Sequence, residues 1–258
     1  MGSRTDALPK PMLSIQGMPI LWYIVHALQR ANVKRVVFPL GFRGDCIREY
    51  FGRRSEFAGM KLLFEDTGVD SNISQRMLAI SHLLDDDEDF VLTNGDHIFN
   101  FDLERMCNDH QAAKAAATLG VANIRSPFGL VIEDEKGVVD FGRESVVSSL
   151  MIGDAGDCPR IGRVYSGITI FNARALSEVP FSPEQEFECT VFRHFIERGL
   201  LRAHELGGFW WAFDTEKDLD VAEGRCVTEE DVCRQIDLIR TSFIDTKSMV
   251  RPENGSSR

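Results

Sequence analysis

The chain has 258 residues, 43% hydrophobic and 27% charged, which is enough apolar material for a sizeable core and too much for a disordered chain. A formal net charge of −11 argues against a general nucleic-acid binder, which needs a basic face, but still allows one small anion held by local cations. No apolar run is long enough to cross a bilayer, no signal peptide is legible and the six cysteines form no C-x-x-C pair, so a reduced, cytoplasmic setting without membrane, zinc or disulfides is expected.

In chain order, "LPKPM" (residues 8–12) fences Lys10 between two prolines, which excludes it from a helix interior or a central strand. "PILWYIVHALQRA" (19–31) reads as a helix with one buried stripe and proline at its first position. "RVVFPLG" (35–41) reads as a buried strand, "GDCIREYF" (44–51) as a short helix and "KLLFED" (61–66) as a second strand. "SNISQRMLAISHLL" (71–84) has a helical pattern, and "DFVLTNGD" (89–96) is a strand ending in Asn-Gly-Asp. Alternation at this spacing predicts an α/β fold with a mainly parallel sheet and helices on both faces.

From residue 114 the texture changes. "KAAATLGVANI", "FGLVIEDEKGVVDFG", "SVVSSLMIG" and "RVYSGITIFN" are closely spaced strand-like runs, predicting an inserted, partly antiparallel β-rich layer. Helices return at "EFECTVFRHFIERG", "TEKDLDVAEGR" and "EEDVCRQIDLIRTSF". A single domain over residues 1–245 is expected, with halves 1–113 and 114–224, a C-terminal helix in 225–245 and a polar, frayed tail at 246–258.

Ligands of such sheets bind beyond the carboxyl ends of the strands. Asp96 closes one strand and Asp214, after "GFWWAF", closes another; each is either a turn or helix-capping residue, or one of a pair of hard oxygen ligands for Mg²⁺. Lys10 is either a solvated surface charge or a cation preorganised for phosphate. "MGSR" is a weak candidate for half of a phosphate-cradling loop, and Gly129 reads equally as a plain strand glycine or as backbone exposed to a ligand.

The ordered set of motifs resembles the sugar-1-phosphate nucleotidyltransferases, and is most similar to glucose-1-phosphate cytidylyltransferases. It runs from "GSRTDALPKPMLSIQGMPILWYIVHAL" through "GFRGDCIREYF", "DTGVDSNISQRMLAI", "TNGD", "FG", "YSGITIFN" and "GFWWAFDT". The resemblance implies a Rossmann-like sheet flanked by helices. It also implies transfer of a nucleotidyl group from an NTP, CTP first, to a sugar-1-phosphate or cyclitol phosphate, releasing pyrophosphate. Arg4 and Lys10 are then the catalytic cations, Asp96 and Asp214 hold Mg²⁺, and Gly2, Ser3, Gly95, Gly129, Arg143, Ser166 and Gly167 border the substrates.

The base-binding segment falls on Ser74, Gln75 and Arg76, where the family's two glycines are replaced by side chains. Arg143 stands beside the position of a family lysine that holds the sugar phosphate. The family's opening strand has no counterpart ahead of Gly2, so a sheet lacking its central strand, weak activity and marginal stability are expected. The other function class is an inactive homologue that binds nucleotide or sugar phosphate and regulates a partner. A glycosyltransferase would want an Asp-x-Asp pair, which "NGDHIF" lacks. A homo-oligomer is left open.

Overall fold

The computed structural model describes residues 8–84, 88–126, 129–142, 145–152, 160–226 and 230–245. Helix α1 (Ile20–Arg30) starts immediately after Pro19, which stands at its N-cap with φ −59°. It is not the single-striped helix the pattern suggested. Eight of its residues are buried, because Trp22 and His26 on the far side pack against Phe57 and Phe243. Strands β1 (Arg35–Leu40) and β2 (Lys61–Asp66) then pair in parallel, with α2 (Gly44–Gly52) between them in sequence. Helix α3 (Ile73–Ile80) is shorter than expected. It opens on a capping box between Asn72 and Gln75 and tightens into a 3₁₀ turn at Ser81–Leu83.

The main sheet is built from β3 (Asp89–Thr93), β5 (Ala117–Ala122), β10 (Val164–Asn172) and β11 (Leu201–Glu205), in the order β11-β5-β10-β3. β10 runs against both of its neighbours, whereas β11 and β5 are parallel. Successive side chains of a strand point to opposite faces, and β10 shows what that achieves here. Ile168 and Ile170 enter one core with α1, while Phe171 enters a second core with Phe187, Val191 and Phe195 of α5 (Phe187–Glu197).

The remaining strands lie outside this sheet. β4 (His97–Asn100) pairs antiparallel with β12 (Phe209–Ala212). The inserted layer contains the hairpin β6 (Leu130–Asp134) with β7 (Gly137–Gly142), and β8 (Leu150–Ile152) with β9 (Arg160–Gly162). Helix α4 (Leu103–Ala112) follows β4, and α6 (Glu216–Ala222) and α7 (Glu230–Asp245) are the last two helices among the described residues. α7 is tied back to the start. Gln16, in the left-handed region at φ 49°, donates from its Nε2 to the carbonyls of Ala222 and Cys233 and from its backbone N–H to Glu223 Oε1.

Among the described residues β1 pairs only with β2, and β3 only with β10. Residues of both strands line a groove of about 340 Å³ floored by Leu21, Ile24 and Val25 of α1. Leu40 and Gly41 meet Thr93, Asn94 and Gly95 at the end where Lys10 stands. The two carboxyl ends therefore open to the same place, which is where such sheets bind ligands.

Candidate active site

Lys10 begins a 3₁₀ turn (Lys10–Met12) held by Met12 N–H donating to the Pro9 carbonyl at 2.8 Å. The turn packs against Gly95 so closely that a Cβ there would lie 2.8 Å from Pro11 Cγ. This contact aims Lys10 at the end of β3. Its ammonium donates to Asp96 Oδ2 at 2.7 Å and to Asp214 Oδ1 at 3.3 Å. Since both contacts share one nitrogen, the two carboxylate oxygens lie at most 6.0 Å apart.

The carboxylates come from positions 118 residues apart because β4 and β12 form one ladder, with His97 opposite Ala212. Phe213 N–H extends the ladder by donating to the Asp96 carbonyl at 2.9 Å. Neither aspartate is spent on capping. Asp102 caps α4, and Thr215 with Asp218 forms the capping box of α6. The duller readings of Asp96 and Asp214 thus have other residues filling those roles, and both carboxylates face the lysine.

Partial burial draws the Lys10 pKa down, but the two carboxylates outweigh it and hold the amine above its ordinary value. His97, buried beside Asp96 with its Nε2 2.9 Å from Thr93 Oγ1, is pushed down to about 4 by burial, with Asp96 opposing. It is a neutral structural imidazole at neutral pH.

Asp214 also lines a second cavity, of about 860 Å³, with Trp210, Trp211, Asn123 and Arg125 on its walls. Lys10 borders one cavity and Asp214 the other, so the charged cluster stands at the junction of two spaces. Two hard carboxylate oxygens that already share one cation suit a divalent ion that takes its other ligands from water and phosphate. Among the described residues no third carboxylate, histidine or cysteine completes a purely protein cage.

Residues 4–144 match the nucleotidyl transferase family. The chain belongs to that family. It is 26% identical over 246 residues to the glucose-1-phosphate cytidylyltransferase of Salmonella typhimurium, covering 87% of this chain and 90% of that protein. It is 30% identical over 192 residues to the D-glycero-alpha-D-manno-heptose 1-phosphate guanylyltransferase of Aneurinibacillus thermoaerophilus, covering 72% and 76%. The crystal structure of HddC from Yersinia pseudotuberculosis shares the fold, with a TM-score of 0.59 at 16% identity over 82% of this chain and 87% of that one.

In this nucleotidyl transferase the remaining expected site residues fall into three groups. Gly95 joins the cluster, and Gly167 packs against the neighbouring Asn94. Gly167 sits at a β-bulge with φ +76°, and a Cβ there would lie 2.7 Å from Asn94 Nδ2. Ser74, Gln75, Ser166 and Gly129 are otherwise engaged. Ser74 is buried and donates to the Gln185 carbonyl, Gln75 completes the cap of α3, and Ser166 turns inward to the Gly120 carbonyl. A Cβ on Gly129 would lie 2.5 Å from the exposed Phe141 ring, which lies over that glycine.

Of the three residues expected to meet the base, Arg76 reaches the groove. Its Nε donates to Ser71, and its guanidinium crosses Gly41, where a Cβ would lie 2.7 Å from Nη2. Gly2, Ser3, Arg4 and Arg143 lie outside the described residues. Pro11 enters the sequence reading only as one of the two prolines fencing Lys10, and Asn94 and Gly41, which also line the groove, stand inside quoted motifs with no local signal of that role.

Proposed function

We propose that this nucleotidyl transferase joins an NTP and a sugar-1-phosphate into an NDP-sugar, with Lys10, Asp96 and Asp214 at the reacting phosphates. The observation that carries the reading is the convergence of one ammonium and two carboxylates at the junction of two cavities. One cavity suits each substrate, with the nucleotide phosphates beside Lys10 and Arg76 and the sugar phosphate in the larger space. The Salmonella relative makes CTP and glucose-1-phosphate the first pair to try.

In the reaction a phosphate oxygen of the sugar-1-phosphate attacks the α-phosphorus and forms a P–O bond. The bond from the α-phosphorus to the αβ-bridging oxygen breaks, and its electron pair leaves with pyrophosphate. The attacking group is already an anion near neutral pH, so no side chain need remove a proton. Lys10 offsets the charge gathering on the phosphoryl oxygens, and its proline-fenced turn fixes the backbone from which the side chain reaches them. Arg76 orients the nucleotide from the groove wall. Asp96 and Asp214 would hold Mg²⁺, which supplies Lewis-acid neutralisation of the phosphates when bound.

The test is pyrophosphate release with each NTP against a panel of sugar-1-phosphates, wild type beside Asp214→Asn. Turnover with at least one pair, abolished in the variant, is expected. Substrate binding without turnover for every pair would instead point to the regulatory homologue.

A further inference from the structure

We propose that Lys10 is a place-holder. In the nucleotide-free protein its ammonium occupies the station between Asp96 and Asp214, and nucleotide phosphates draw it away as the divalent ion enters. The inference rests on the metal assignment made above and concerns how that site is filled.

An ammonium and a divalent ion on the same Asp96 oxygen would crowd one another. An Mg²⁺ bound to Asp96 at about 2.1 Å from its oxygen would lie within about 5 Å of an unmoved ammonium, because Nζ is 2.7 Å from the same oxygen. A doubly charged and a singly charged ion at that distance, in a half-buried site, repel strongly. The backbone cannot give way, since the turn is locked by Pro9 and Pro11 and packed onto Gly95. The flexible four-carbon side chain can, and the groove that it borders gives it room to swing. With no third protein ligand among the described residues, a free ion gains little from two carboxylates that the lysine already neutralises. A triphosphate changes both sides of this balance. It offers the ammonium a new anionic partner and brings further oxygens for the metal. Metal and nucleotide therefore strengthen one another's binding, by the same factor in each direction.

Mn²⁺ is the probe, with free ion counted by electron paramagnetic resonance and no nucleotide present. Lys10→Met should bind Mn²⁺ about fivefold more tightly than wild type, the size expected when a partly exposed ion pair no longer competes. Adding Asp214→Asn to Lys10→Met should remove the gain. In the wild type, Mg²⁺ at a concentration high enough to fill the site without nucleotide should raise acetylation of Lys10 by acetic anhydride, read by mass spectrometry, because the amine is released.

Equal Mn²⁺ affinity in wild type and Lys10→Met, lost in both with Asp214→Asn, would leave the metal site standing and overturn the place-holder. No Mn²⁺ binding by Lys10→Met would overturn both. A tighter Lys10→Met whose wild-type counterpart shows no change in labelling would mean that the charge acts through its field without moving, and would overturn the displacement.

Discussion

Gly95→Ala is a single-methyl perturbation of the device that aims Lys10. Gly95 has no need of a left-handed backbone, so alanine brings no φ strain and the effect comes from contact alone. The new Cβ would stand 2.8 Å from Pro11 Cγ, against an ordinary contact floor near 3.4 Å, so the turn must retreat by about 0.6 Å. The proline ring is rigid and cannot rotate aside. Overpacking of this kind costs about 1–3 kcal/mol, or ~2–4 °C of melting temperature per kcal/mol at this chain length. The retreat shifts the backbone from which Lys10 reaches the phosphates, so pyrophosphate release should fall about ten- to a hundredfold, a larger loss than stability alone predicts. The decisive variant is the pair Gly95→Ala with Pro11→Ala. Removing Cγ leaves Pro11 Cβ, at an ordinary 3.4 Å, as the nearest atom. The double variant should recover activity relative to Gly95→Ala alone, despite the backbone freedom that losing a proline returns to the unfolded chain. Thermal melting and pyrophosphate release on wild type, both singles and the double complete the cycle. A fully active Gly95→Ala, or a double no better than that single, would refute the proposed packing role.

Asp214→Asn should lower turnover a hundredfold or more while moving the melting temperature little, since its side chain is 76% exposed; a large stability loss with retained activity would reverse that assignment. Burial lowers the pKa of His110, Asp89 opposing, so below about pH 6.5 the unfolded chain takes up more protons than the folded one and stability falls with acidification. His110→Gln, which keeps a partner for Thr118 Oγ1, should flatten the wild-type fall in melting temperature below that pH, and parallel curves would exclude His110 as its source.

The elements that build the main fold were legible where one physical signal dominated. β1, β2 and β3 are apolar runs closed by turn residues, and each lies within two or three residues of its expected place. β11 was missed because "LRAHE" carries charge at Arg202 and Glu205. Those positions tolerate charge since β11 is a sheet edge with solvent on one side. β12 is expected as the strand that ends at Asp214, but "FWWA" carries no sign of which strand it pairs with. Yet its pairing with β4 is what brings Asp214 to Asp96. The individual charges could be singled out from the sequence, but their meeting depended on a long-range ladder that no local pattern encodes. The inward turn of Ser166 and the capping role of Gln75 were hidden for the converse reason. A polar side chain looks the same in sequence whether it serves a ligand or its own backbone.

Gln16 gives the two ends of the chain a shared mechanical fate. The amide that binds the carbonyls of Ala222 and Cys233 lies six residues from Lys10, and Ile15 beside it is fully buried. α7 is thus a brace for the segment that carries the lysine, although it lies more than two hundred residues away in sequence. Loosening the helix, by trimming it or by loading its end with a bulky fusion, would travel through Gln16 into the proline-fenced turn. Handling of the C-terminus then becomes a variable in any measurement made at the N-terminal lysine.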